Sequence, residues 1–172
     1  MAITYEILAS TTVNANQATI TLSSISQSYT DLRLVANMGL GGQGDISVRC
    51  NGDTGNNYYS EVLTGLGTAG APTSAIEGAG VGAFKVTSSA QQINQGSGGN
   101  SLLTFDFLSY TFSLNKPVLW EYGFAAGNSS YNVRRTGCGN YTSGAPISSI
   151  TIFTNQSFSN GTTFALFGIL KA

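Results

Sequence analysis

The chain has 172 residues, seven basic and eight acidic side chains, a net charge of −1 and no histidine. That balance excludes the basic surface on which nucleic-acid affinity rests, and the missing imidazole excludes Ser-His-Asp and Cys-His catalysis, His-ligated zinc and 2-His-1-carboxylate iron. Hydrophobic residues at 41%, spread along the whole length, exclude a disordered chain and predict a single domain over residues 1–172.

The N-terminal stretch MAITYEILAS lacks the basic and apolar regions of a secretion signal, and no segment approaches the ~18 apolar residues of a spanning helix. We therefore expect synthesis in the cytoplasm and no membrane insertion. Alternation then dominates. Ile3, Tyr5 and Ile7 alternate with Thr4 and Glu6; Ala18, Ile20 and Leu22 with Thr19 and Thr21; Leu32, Leu34, Ala36 and Met38 with Arg33, Val35 and Asn37. This period predicts three half-buried strands. Ile46, Val48 and Cys50 continue it, and strand-like runs cover 58–66, 75–86, 101–108, 118–124, 147–154 and 162–170, about ten strands in all. Gly39-Leu40-Gly41-Gly42, Asn51-Gly52, the run from Gly96 to Asn100, and Asn160-Gly161 supply turns between them. The stretch 65–82, rich in Gly and Ala, reads as a long loop with a strand inside. With no capped 3.6-residue period anywhere, the expected fold is all-β: an antiparallel, jelly-roll-like β-sandwich, with a closed barrel as the alternative.

Motifs that carry chemistry mostly dissolve on inspection. G-x-G-x-x-G occurs at Gly39/Gly41/Gly44 and at Gly65/Gly67/Gly70, but neither opens a helix that could offer its N-terminus to a pyrophosphate. The oxygen-rich run from Asn51 to Asn57 lacks the bidentate Glu of a calcium loop and reads as a turn held by Asn and Asp side chains on their own backbone. Asp106 and Glu121 sit on strands that could neighbour each other, as a glycosidase pair would; we read them instead as outward partners for the scarce Lys and Arg. Arg134-Arg135 reads as a solvated loop. Cys50 and Cys138, far apart in sequence, read as two free thiols. The N-x-S/T triplets at Asn128, Asn140, Asn155 and Asn160 are expected by composition alone. Trp120 is assigned to the core. Tyr58, Tyr59, Tyr131 and Tyr141, beside polar loops, could stack on sugars or line a protein interface.

In the last run, Phe164, Leu166 and Leu170 share one face and Ala165, Phe167 and Ile169 the other. Apolar residues on both faces predict protein on both sides, and the second neighbour is expected to be another subunit. Phe167, Ile169, Tyr131 and Tyr141 are the candidate subunit-interface residues.

Three segments, SISQSYTDLRLVANM, RCNGDTGNNYYSEVLTG and ISSITIFTNQSFSNGTTFALFGILKA, resemble in order a family of small virion proteins of tailed bacteriophages, including cyanophages. The resemblance implies a jelly-roll or β-sandwich subunit with no catalytic residues, cofactor or metal. It implies a place on the outer surface of the capsid as a decoration (cement) protein, bound to the major capsid protein and assembled as a homotrimer at local three-fold positions. The family also includes tail appendages, so a tail fibre or spike that recognises a host glycan or receptor is the alternative. Neither role involves nucleic acid or membrane.

Overall fold

The computed structural model describes residues 4–42, 44–66, 73–87, 100–124 and 132–170. Alternating segments become strands wherever a turn residue lets the chain reverse. They are β1 (Thr4–Thr12), β2 (Gln17–Leu22), β3 (Asp31–Met38), β4 (Ile46–Cys50), β5 (Tyr58–Leu66), β6 (Thr73–Val81), β7 (Phe84–Lys85), β8 (Ser101–Phe107), β9 (Lys116–Phe124), β10 (Val133–Tyr141), β11 (Ile150–Phe158) and β12 (Thr163–Leu170). No helix occurs among the described residues.

All pairings are antiparallel. The strands form an eight-stranded sheet, β1-β12-β3-β8-β9-β10-β5-β6, and a four-stranded sheet, β2-β11-β4-β7. Within them β1 pairs with β12, β2 with β11, β3 with β8 and β4 with β7. The chain thus runs as one long folded-back ribbon. The excursions β5-β6 and β9-β10 widen only the larger sheet.

The inner faces of the two sheets make the core. From the small sheet Phe84 reaches Phe105 and Trp120 of the large one, with ring centroids 5.5 and 6.1 Å apart. Phe105 and Trp120 stack 5.2 Å apart and nearly parallel, and Phe158 of β11 meets Phe164 of β12 edge-on at 5.1 Å. Two separate sheets packed in this way are a β-sandwich, not a closed barrel. Trp120 dictates its neighbour on β10: a Cβ on Gly137 would stand 2.1 Å from the indole, so only glycine fits there.

Three sequence expectations change. Arg134 and Arg135 lie in β10, not in a loop, and Arg135 is buried with its Nε donating to Thr64 Oγ1 at 3.1 Å. Glycines and one arginine, Arg135, at the inward positions of VRRTGCGNY hide the period-2 signal, and pairing with β5 and β9 makes the strand. The run 75–86 divides into β6 and β7, which belong to different sheets. Tyr5 and Ile7, expected inside, point outward and stay exposed. In β12 the parity holds: Phe164 and Leu166 are buried, while Phe167 and Ile169 are half-buried on the outer side.

Candidate interaction surface

The outer faces of the two sheets differ in chemistry. On the small sheet the outward side chains include Thr19, Thr21, Thr151, Arg49 and Lys85. Thr21 and Thr151 share a hydroxyl hydrogen bond at 3.1 Å, Lys85 Nζ donates to Ser47 Oγ at 3.4 Å, and Arg49 lies over Phe153 while donating to Gly82 O. That face is polar and internally satisfied. Every exposed large apolar side chain borne by a described strand lies on the large sheet: Tyr5, Ile7, Tyr59, Leu63, Leu66, Leu102 and Leu119.

Register arranges these residues in rows. One row runs Ile7, Phe167, Arg33, Asp106, Leu119, Cys138, Glu61 from β1 to β5. Arg33 and Asp106 form a two-pronged ion pair at 2.6 and 2.7 Å, which holds the guanidinium well above its ordinary pKa against the opposing effect of burial. This pair splits the face into two patches. On the β1–β12 side Tyr5 meets Phe167 edge-on at 6.2 Å. On the other side Leu119, Leu63 and Leu102 are 51%, 54% and 54% exposed, enough for all three to be available to a partner.

Small residues on β10 hollow out this second patch. Between the projecting Leu119 of β9 and Leu63 of β5, β10 presents only Thr136 and Cys138 outward, backed by Gly137 and Gly139. The result is a shallow trough, one part of which holds about 470 Å³ beside Leu63, Leu119 and Cys138. Adjoining depressions of about 340, 380 and 420 Å³ extend it across β5, β10, β9 and β8.

The expected site residues fall in different places. Phe167 and Ile169 lie on the outer face as expected. Tyr141 does not: it is 1% exposed, packed 5.0 Å from Tyr58 and covered by Lys116, so it can face no neighbouring subunit. Its position at the end of β10, opposite Tyr58 and Lys116 in register, directs it inward. Its hydroxyl donates to Asp53 Oδ2 at 2.9 Å, and burial, with smaller help from Asp53, pushes its pKa up to about 12. Tyr131 lies outside the described residues. Tyr58 is also interior, its hydroxyl donating to Cys50 O and Asp53 O, while Tyr59 is exposed.

The loop from Asn51 to Asn57 is the expected self-bonded turn. Asp53 accepts from Gly55 N at 2.7 Å and from Asn57 Nδ2 at 2.8 Å. Burial would raise this carboxyl, but those bonds and the one from Tyr141 outweigh it and hold the pKa below the usual range. Asp106 pairs with Arg33, and Glu121 pairs with Arg134 at 3.2 Å, so both carboxylates serve the scarce cations. Cys50 is buried and Cys138 exposed, both free; burial pushes the Cys50 thiol up. No cluster of three or more metal-binding side chains occurs among the described residues.

Sequence reading missed the trough leucines. Their signal was present in VLWEYGF, where Val118, Leu119 and Trp120 fill both faces of the strand, just as in β12. Comparison with family models, with curated proteins and with solved structures returns no match.

Proposed function

We propose that this chain is a non-enzymatic structural subunit of a tailed-phage virion, a head decoration protein that binds the major capsid protein on the outer surface of the shell. The observation that carries this reading is the asymmetry of the sandwich. One outer face is polar and self-satisfied, suited to water. The other exposes aliphatic and aromatic side chains on four of its eight strands, suited to a protein neighbour. The nested pairing of β1 with β12, β2 with β11, β3 with β8 and β4 with β7 supports the finer assignment of the sandwich as a jelly roll, with β5-β6 and β9-β10 inserted. The likeness of the three sequence segments to phage virion proteins supports the setting.

In this reading the β1–β12 patch, with Phe167, Ile169, Tyr5 and Ile7, meets the capsid neighbour or another copy around a three-fold position. The tail-appendage alternative loses ground, because Tyr58 and Tyr141, two of the four tyrosines that could have stacked on sugars or lined a protein interface, are in the core. Quantitative mass spectrometry of purified particles tests the assignment: hundreds of copies per particle are expected of a decoration protein, and a few tens or none would overturn it.

A further inference from the structure

We infer that the trough face of the large sheet, β8-β9-β10-β5, is self-complementary and takes a second copy of the same chain in a two-fold, face-to-face pair. Three observations point to that occupant. First, ridges and hollow occur together on one surface: Leu63 and Leu119 project on either side of the trough that Thr136 and Cys138 leave open. A two-fold contact requires one patch to present both the knob and the hole.

Second, the charges on the face cancel within it. Arg33 pairs with Asp106 and Arg134 with Glu121, leaving Glu61 as the one unbalanced charge on the outward face of the trough strands, where Lys116 and Arg135 turn inward and are buried. A strongly acidic or basic partner gains little from such a surface, whereas an identical neutral surface meets no repulsion. Arg134 and Glu121 are well exposed and only loosely bonded, so they can exchange partners across the pair.

Third, the area is sufficient. Four strands at about 4.8 Å spacing and up to nine residues at about 3.3 Å each cover roughly 19 by 30 Å. Two such faces bury roughly 1,100 Å², near the lower bound of specific protein interfaces at about 1,200 Å². The pair is therefore of modest affinity and concentration-dependent. It does not depend on the capsid assignment, since it concerns the chain alone.

Sedimentation velocity on the purified full chain, over a series from low to high micromolar, tests it. The wild type is expected to reach a two-copy mass at the upper end. Leu119→Arg and Leu63→Arg each place a long cation in the contact and should weaken pairing at least about tenfold, with unchanged thermal unfolding because both positions are outward. Thr151→Arg, on the polar face of the small sheet, should leave pairing intact. Cys138 provides an independent readout: a short bis-maleimide should link two chains through this exposed thiol, and Cys138→Ser should abolish the link, since Cys50 is buried. A wild type that stays monomeric throughout, a three-copy mass, or a pair that survives both arginine variants would overturn the inference. Particle copy number fails or succeeds separately, so the two readings are distinguishable.

Discussion

The two sheets bury similar inner faces and present opposite outer ones. On the four-stranded sheet most outward polar side chains find a partner within the sheet, as Thr21 does with Thr151, Lys85 with Ser47 and Arg49 with Phe153. On the eight-stranded sheet Leu63, Leu102 and Leu119, one on each of β5, β8 and β9, point outward and stay about half exposed. Folding of the monomer explains the first arrangement. The second leaves about half of each leucine in water. On the proposed reading the small sheet faces solvent and the large sheet serves assembly, because sustained apolar exposure on one face marks an interaction surface.

Substitutions at neighbouring positions of opposite parity sharpen this contrast. The largest effect is expected at Trp120, sandwiched between Phe105, Phe84 and Gly137. Trp120→Ala should cost about 3–5 kcal/mol of stability, whereas Leu119→Ser next to it should stay within about 0.5 kcal/mol. Chemical denaturation of both variants checks this. If the two losses were equal, the outer face would be core and the comparison would fail.

The same logic applies one size down on β12. Leu166→Ala, at a fully buried site, should destabilise by about 2–5 kcal/mol through lost transfer energy and a cavity. Phe167→Ser, half-exposed beside Tyr5, should cost clearly less and leave a folded chain that binds capsid poorly. Thermal unfolding combined with a capsid-binding assay separates the two effects.

Smaller still is the loss at the Tyr141–Asp53 bond. Tyr141→Phe leaves a half-buried carboxylate one donor short and should cost about 1.5 kcal/mol. Tyr141 also makes the fold alkali-sensitive. Its folded pKa, about 12, lies above the unfolded value of about 10. The stabilisation is thus fully present below pH ~10 and is lost as pH rises towards 12, because the unfolded chain gives up the proton first. Tyr58, raised by burial as well, adds to the decline. Alkaline unfolding followed by circular dichroism should show Tyr141→Phe with a shallower dependence over that interval; an identical slope would remove Tyr141 as the cause. The smallest effect is expected on the polar face, where Thr151→Lys should shift stability by no more than about 0.5 kcal/mol.

Strand identity was legible in the sequence where inward positions are occupied by large apolar residues. Leu32, Leu34, Ala36 and Met38, or Ile46, Val48 and Cys50, can satisfy only a two-residue period with one face in a core, and the turn at Asn51-Gly52, where both residues adopt left-handed backbone with φ of 54° and 64°, announces itself by composition. The lack of catalytic imidazole and the division of β12 into two apolar faces are likewise properties of the chain alone. What stayed hidden depended on neighbours distant in sequence. β10 is a strand because β5 and β9 flank it; its Gly137 is required by an indole 17 residues earlier in the chain, at Trp120, and its Gly139 by the backbone of Tyr59. Whether Leu63 or Leu119 points to core or water cannot be read from a period that defines two faces without ranking them. Only the packing of one sheet on the other makes that choice, since the inner face is whichever one meets the second sheet, and the leucines on the opposite side become surface as a consequence.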